Sequence, residues 1–169
     1  MPAKAGTGMT KLDVMNELTH IAPMYDDFIE KMYDTFSEAR RPTKEEMTIY
    51  KDFECAEIME KFSPYKNCDL PDEIVSSFFN ALVWLKPEAF RYYLPRYIEY
   101  DVQHQDYSFF GYLLYEIVPE NFDNAFKERF IMFTDAEKEI IVQYLQIRQK
   151  TADDVDQKDI QRGLEIWKS

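Results

Sequence analysis

The stretch Thr134-Asp-Ala-Glu-Lys-Glu-Ile-Ile-Val-Gln-Tyr-Leu-Gln-Ile-Arg148 decides the fold class. Thr134 and Glu137 form a T-x-x-E capping box, in which each side chain can satisfy an orphan amide of the other residue. Behind that start, Ile140, Ile141, Tyr144, Leu145 and either Ile147 or Arg148 recur at helical spacing, as expected for a helix with one buried face. The chain has only four glycines in 169 residues and no hairpin dipeptide such as Asn-Gly, so the helical period is the dominant signal.

Working outward, the same signature repeats. Asn121 to Phe133 reads as a helix with Phe122, Phe126, Phe130 and Phe133 on one side, and Tyr107 to Val118 as one or two helices ended by Pro119. Pro87 suits the first turn of a helix through Leu94, and Pro95 interrupts or kinks the chain before Arg96-Tyr-Ile-Glu-Tyr-Asp-Val. Pro71, Asp72 and Glu73 open a helix expected to be central, because Ile74, Val75, Phe78, Phe79, Leu82, Val83 and Trp84 cover more than one face. A second capping box, Thr43 with Glu46, predicts a helix that buries Met47, Tyr50, Phe53, Ala56 or Ile58, and Phe62, and stops at Ser63-Pro64. Upstream lie the stripe Met24, Phe28, Ile29, Met32, Tyr33 and Phe36, and a short helix with Leu12, Met15 and Leu18 behind a Thr10 cap. Downstream, Thr151 to Asp156 starts an acidic helix that carries Ile160, Leu164 and Trp167 and is weakened by Gly163.

These elements predict an all-α, compact orthogonal bundle of six to eight helices with no significant sheet. Residues 1–9 read as a tail, 10–150 as the helical domain, and 151–169 as a C-terminal helix packed on the domain or used for association, a homodimer contact included. No solenoid-type repeat is visible.

Thirty-two acidic against twenty basic residues give a net charge of −12. That balance opposes approach to phosphate backbones and anionic lipid, so nucleic acid and membrane are poor partners and a basic protein is a good one. The most apolar run, Ile74 to Leu85, is broken by Ser76, Ser77 and Asn80 and is short of the roughly 20 residues a membrane-spanning helix needs. Cys55 and Cys68 fit neither a disulfide framework nor a zinc site, and with no signal-peptide pattern near Met1 they read as reduced thiols in a cytoplasm.

Chemistry-bearing motifs are missing. His20 and His104 have no partner at metal-ligand spacing, and both read as structural. Phosphate-binding, dinucleotide-binding and nucleophile-elbow patterns are absent, so no cofactor, no metal and no catalytic residue is expected. The pairs Asp26-Asp27, Glu45-Glu46 and Asp153-Asp154 diverge by about 100° on a helix and read as solvated faces, not acid/base dyads.

One constellation stands out: Leu85-Lys-Pro-Glu-Ala-Phe-Arg-Tyr-Tyr-Leu-Pro-Arg96, with Tyr97 following. Arg91 and Arg96 sit among Tyr92, Tyr93 and Tyr97 in a chain that is otherwise acidic. Two readings stay open: an arginine, tyrosine and carboxylate brace within the core, or an anion- or partner-binding pocket.

Pro87-Glu-Ala-Phe-Arg-Tyr-Tyr-Leu-Pro95, followed by Phe133-Thr-Asp-Ala-Glu-Lys138 and an amphipathic helix, resembles a bacterial family of uncharacterised small helical proteins. The resemblance covers roughly Glu54 to Gln149. It departs at Lys66-Asn67-Cys68, where the family pattern implies a tryptophan, and in its additional terminal helices. It implies a bacterial cytoplasmic protein and brings no activity with it.

Charge and missing motifs together favour a non-catalytic protein-binding protein, an inhibitor of immunity or antitoxin type that masks a basic toxin or enzyme with an acidic, aromatic surface. The alternative is a structural or adaptor module that associates through Ile160, Leu164 and Trp167. A third reading is an enzyme or small-ligand receptor built around Arg91, Tyr92 and Arg96.

Overall fold

The computed structural model describes residues 25–120 and 123–169. The tail, the helix expected around Leu12, Met15 and Leu18, and Met24, His20, Asn121 and Phe122 lie outside the described residues.

Eight α-helices form among the described residues: α1 (Asp26–Thr35), α2 (Phe53–Phe62), α3 (Asp72–Ser77), α4 (Pro87–His104), α5 (Tyr107–Ile117), α6 (Asn124–Phe130), α7 (Asp135–Gln149) and α8 (Asp154–Trp167). Short 3-10 turns fall at Lys44–Glu46, Asn67–Asp69 and Ala81–Trp84. No strand forms among the described residues beyond one isolated antiparallel bridge, Thr48 to Leu85. The chain is an all-α bundle.

Helix α4 is the hub, touching α1, α3, α5, α6 and the turns at 67–69 and 81–84, while α7 and α8 form the most extensive helix pair. Its apolar and aromatic side chains, from Ala89 to Val102, are buried on nearly every side. Pro95 lies inside this helix without ending it. Side-chain bonds on both sides of the proline, from Arg91, Arg96 and Tyr97, hold the two halves to fixed neighbours, which offsets the hydrogen bond that proline cannot donate.

Local sequence chemistry explains the helix starts. The Thr134 box is formed, with Glu137 N–H donating to Thr134 Oγ1 at 3.2 Å and Thr134 N–H to Glu137 Oε2 at 2.9 Å. Asp52, Asp106, Asp123 and Asp153 cap α2, α5, α6 and α8 through their carboxylates.

Three expectations need correction. The Thr43 box also forms, yet only one 3-10 turn follows it, because the chain beyond Met47 exchanges helical bonding for a pairing with the 84–86 segment. Ile49 N–H donates to Trp84 O at 2.9 Å and Lys86 N–H to Met47 O at 3.0 Å. Helix α2 therefore starts at Phe53, leaving Tyr50 and Phe53 exposed rather than buried.

The helix opened by Pro71, Asp72 and Glu73 and expected to carry Ile74 through Trp84 stops at Ser77, and a 3-10 turn follows at Ala81–Trp84. Carbonyls freed by the break find side chains: Phe78 O accepts Tyr97 Oη–H at 2.6 Å, and Leu82 O and Val83 O accept Arg129 at 3.2 and 2.9 Å. Ser76, Ser77 and Asn80, poor helix formers, sit at the break. Finally, the helix expected from Asn121 to Phe133 is confined to α6 by its Asp123 cap.

Helix α8 docks fully. Ile160, Leu164 and Trp167 are 0 %, 6 % and 3 % exposed, Trp167 rests against Phe126, Phe130 and Phe133, and its indole N–H donates to Ile117 O at 2.8 Å. The face they form is covered by this chain's own residues, so these three do not offer an association surface. Gly163 serves this contact: a Cβ there would come within 2.5 Å of Val118 Cγ2 and 2.9 Å of Leu145 Cδ1. The glycine weakens the helix locally but permits the close approach that buries the apolar stripe.

Candidate functional site

The arginines singled out in the sequence are occupied inside the molecule. Arg91 donates from Nε to both oxygens of Glu137, at 2.9 and 3.1 Å, and from Nη2 to Oε1 at 2.8 Å. The Glu137 side chain is fully buried, so this forked pair ties α4 to the start of α7. Arg96, itself buried, donates Nε to Leu70 O at 2.7 Å, Nη1 to Glu99 Oε2 at 3.2 Å and Nη2 to Asp72.

The tyrosines beside them are likewise internal. Tyr93 Oη–H donates to Phe62 O at 3.3 Å and Tyr97 Oη–H to Phe78 O at 2.6 Å, while Tyr92 accepts twice from Asn67, its Oη from the amide N–H at 3.3 Å and its carbonyl from Nδ2 at 2.9 Å. Burial pushes the Tyr97 and Tyr93 hydroxyls well above their ordinary range. The five residues Arg91, Tyr92, Tyr93, Arg96 and Tyr97 are brought together along α4, with their polar atoms directed to neighbouring elements.

A second polar cluster was not foreseen. Asp101 is fully buried in the last turn of α4, accepts Tyr144 Oη–H at 2.7 Å and lies 3.2 Å from Arg148 Nε. Arg148 also donates to Gln105 Oε1 at 3.1 Å and stacks over Phe110 with its guanidinium carbon 4.1 Å from the ring centre. Burial raises Asp101 to about 6, against the opposing pull of Arg148 and the Tyr144 bond. His104, at the C-terminal end of α4, stacks on Tyr100 and bonds that residue's carbonyl, with Asp72 at 3.3 Å. Cys55 is buried and Cys68 exposed, and desolvation raises both thiols. No group of three or more histidine, cysteine or carboxylate side chains suited to a metal occurs among the described residues.

The outer face of α5 is open to solvent. At 100° per residue, Phe109, Phe110, Leu113, Leu114 and Ile117 share the inward side, while Tyr107, Ser108, Gly111, Tyr112 and Tyr115 share the other. The three tyrosines are exposed by 57 %, 51 % and 63 %. Tyr112 packs on the half-exposed ring of Phe79, 4.4 Å between centroids. Between them runs a groove of about 560 Å³ whose walls include Asn80, Val83, Tyr107, Tyr112 and Tyr115. Its floor is Gly111, where a Cβ would meet nothing within 4 Å.

Two further depressions continue this groove. One of about 200 Å³ shares Ser108 and Tyr112 with it and extends to Phe79, Tyr100 and Asp106. The other, about 310 Å³, shares Val83, Tyr115 and Glu116 and runs on to Pro119, Asp123 and Glu128. The surface is therefore continuous, apolar along its length and acidic at its edges. Asp106, Glu116, Asp123 and Glu128 line it, and the one base among its lining residues, Arg129, is held by Glu116 at 2.9 Å and by two backbone carbonyls. Arg129 fixes the groove's edge by tying the 81–84 turn to α5.

The family of unknown function DUF6714 matches residues 25–169. The chain belongs to that family. No curated protein and no solved structure matches it. The DUF6714 span runs to Ser169, so α8, read from the sequence as an addition to the resembling family, lies within the matched region. It also contains the whole α5 groove. No described helix is long and apolar enough to cross a membrane.

The sequence carried a signal for this site that periodicity alone obscured. Tyr107 to Ile117 has one charged residue in eleven and is apolar or aromatic around its whole circumference. Such a helix requires two partners, and the fold supplies one.

Proposed function

We propose that this DUF6714 protein is a non-catalytic binding protein that docks a basic protein through the α5 groove. In its most concrete form it is a bacterial cytoplasmic inhibitor of immunity or antitoxin type that masks the surface of a toxin or enzyme. The observation that carries the reading is the continuous row of exposed tyrosines over an open glycine floor, edged by carboxylates. Tyrosines supply large, rigid contact area with a hydroxyl for the rim and are over-represented among residues that dominate binding energy. A groove floored by glycine admits a partner side chain or helix close to the backbone.

Charge selects the partner. A second copy of this chain would bring the same carboxylates to the interface, and like charges facing each other oppose association. Nucleic acid is disfavoured on the same ground. A cationic protein is attracted both by the edge carboxylates and by the net charge of −12, which also speeds encounter.

Affinity capture from host lysate by the wild type and by a Tyr112→Ala/Tyr115→Ala variant tests this. The expected result is a basic protein held stoichiometrically by the wild type at low salt, released by raised salt, and lost from the variant. Retention of that protein by both baits, or retention of acidic proteins alone, would contradict the reading.

A further inference from the structure

One concavity has the opposite sign to the rest of the molecule. Lys44, Lys51 and Lys86 line a depression of about 250 Å³ between the 44–51 segment and the start of α4, with Glu45 as the one carboxylate among its lining residues. Six arginines, Arg40, Arg91, Arg96, Arg129, Arg148 and Arg162, each have a carboxylate within 4 Å. None of the three lysines forms an ion pair with a described residue, and Lys86 Nζ donates only to the carbonyl of Glu45, at 3.3 Å. In a chain with 32 acidic residues, three lysines and a single carboxylate line this one hollow.

The backbone beneath them is fixed. Lys44 opens the 3-10 turn locked by the Thr43 and Glu46 capping box. Lys86 N–H bonds Met47 O at 3.0 Å, and Ile49 N–H bonds Trp84 O at 2.9 Å, so the segment bearing Lys86 is clamped against the one bearing Lys44 and Lys51. These are the bonds that end helical structure after the Thr43 box, and they place like charges that repel one another on two pinned segments.

We propose that this hollow binds a small phosphate compound carrying two or more negative charges. Lysine ammonium groups act as mobile point charges and suit phosphate oxygens arriving from several directions. The volume lies just below the roughly 300 to 1,000 Å³ of drug-sized ligand sites, which fits a diphosphate group with at most a compact appendage. Ile49 and Met59 form an apolar wall on which such an appendage rests. An anionic membrane surface is the less suitable anion: it would face the whole chain's charge of −12, whereas a small ion meets the local field inside one Debye length of about 8 Å. This inference stands independently of the α5 reading.

Isothermal titration of the full chain at low ionic strength, with inorganic pyrophosphate and separately with methyl diphosphate, tests it. Saturable one-to-one binding of both is expected. The tighter of the two tells whether the bare diphosphate or one carrying an apolar appendage is the better fit. Lys51→Gln and Lys44→Gln each remove one charged contact from exposed positions and are expected to weaken binding about tenfold, with an unchanged thermal midpoint. Lys158→Gln on α8 is expected to change nothing. No saturable binding of either compound up to about 1 mM, where affinity would be near −4 kcal/mol, overturns the proposal. So does binding unaffected by both lysine variants, or binding to phosphatidylserine vesicles without binding to pyrophosphate.

Discussion

Replacing Glu137 by glutamine removes one charge from a fully buried position and leaves the volume almost unchanged. In the native chain this carboxylate accepts three contacts from Arg91, at 2.8, 2.9 and 3.1 Å, and the Thr134 amide at 2.9 Å. Glutamine keeps one acceptor oxygen and turns an NH2 group toward donors that need acceptors. Deleting one partner of a buried pair costs about 3 to 5 kcal/mol. The Arg91 side chain retains 17 % exposure, so water partly solvates the abandoned guanidinium and the low end, about 3 kcal/mol, applies. For a protein of this size each kcal/mol shifts the midpoint by about 2 to 4 °C, which gives a fall of about 6 to 12 °C. Thermal and urea unfolding of Glu137→Gln, Arg91→Met and the double variant measure the loss and its coupling. A loss under about 1 kcal/mol, or the same loss whether or not Arg91 is present, would refute the idea that this pair braces α4 against α7.

Three further outcomes are expected. Asp101, raised by burial from 3.8 to about 6, binds its proton more tightly folded than unfolded. Its contribution is therefore complete below about pH 4 and is lost as pH rises through 6. Asp101→Asn should flatten the wild type's stability decline across that window by about 2 to 3 kcal/mol in urea unfolding, and identical slopes in the two proteins would speak against it. Gly163→Ala gains about 1 kcal/mol of helix propensity but forces a methyl group onto Val118 and Leu145, an overpacking that costs about 1 to 3. A net destabilisation read by calorimetry is expected, and a higher midpoint would contradict the close-approach argument. Removing residues 151–169 strips Ile160, Leu164 and Trp167 from the core, so the truncated chain should lose cooperative unfolding. If it kept its stability, the core placement of α8 would be wrong.

The sequence made α1, α7 and α8 legible because their apolar residues repeat at helical spacing, and α7 and α8 also carry local caps. Thr134 with Glu137 specifies its helix within four residues. The identical box at Thr43 does not, since the residues that divert the chain, Trp84 and Lys86, lie about forty positions away. The break after Ser77 is equally non-local: its carbonyls depend on Tyr97 and Arg129. The same limit governs the site. Arg91 and Arg96 attracted notice as bases among aromatics, but their partners Glu137 and Leu70 become visible only in three dimensions. Tyr107 to Val118 reads only as one or two helices, and its near-uniform apolar character marks neither side as the exposed one. Only packing decides which side of it the fold leaves uncovered.

Hydroxyl-radical footprinting of the chain, alone and in complex with the captured basic protein, is the most direct test of the α5 surface. Tyr107, Tyr112 and Tyr115 are expected to lose reactivity together in the complex. Phe53, 82 % exposed at the start of α2, should keep its reactivity and serve as the internal control. Protection of Phe53 with all three tyrosines unchanged would contradict the account and move the partner's footprint off α5.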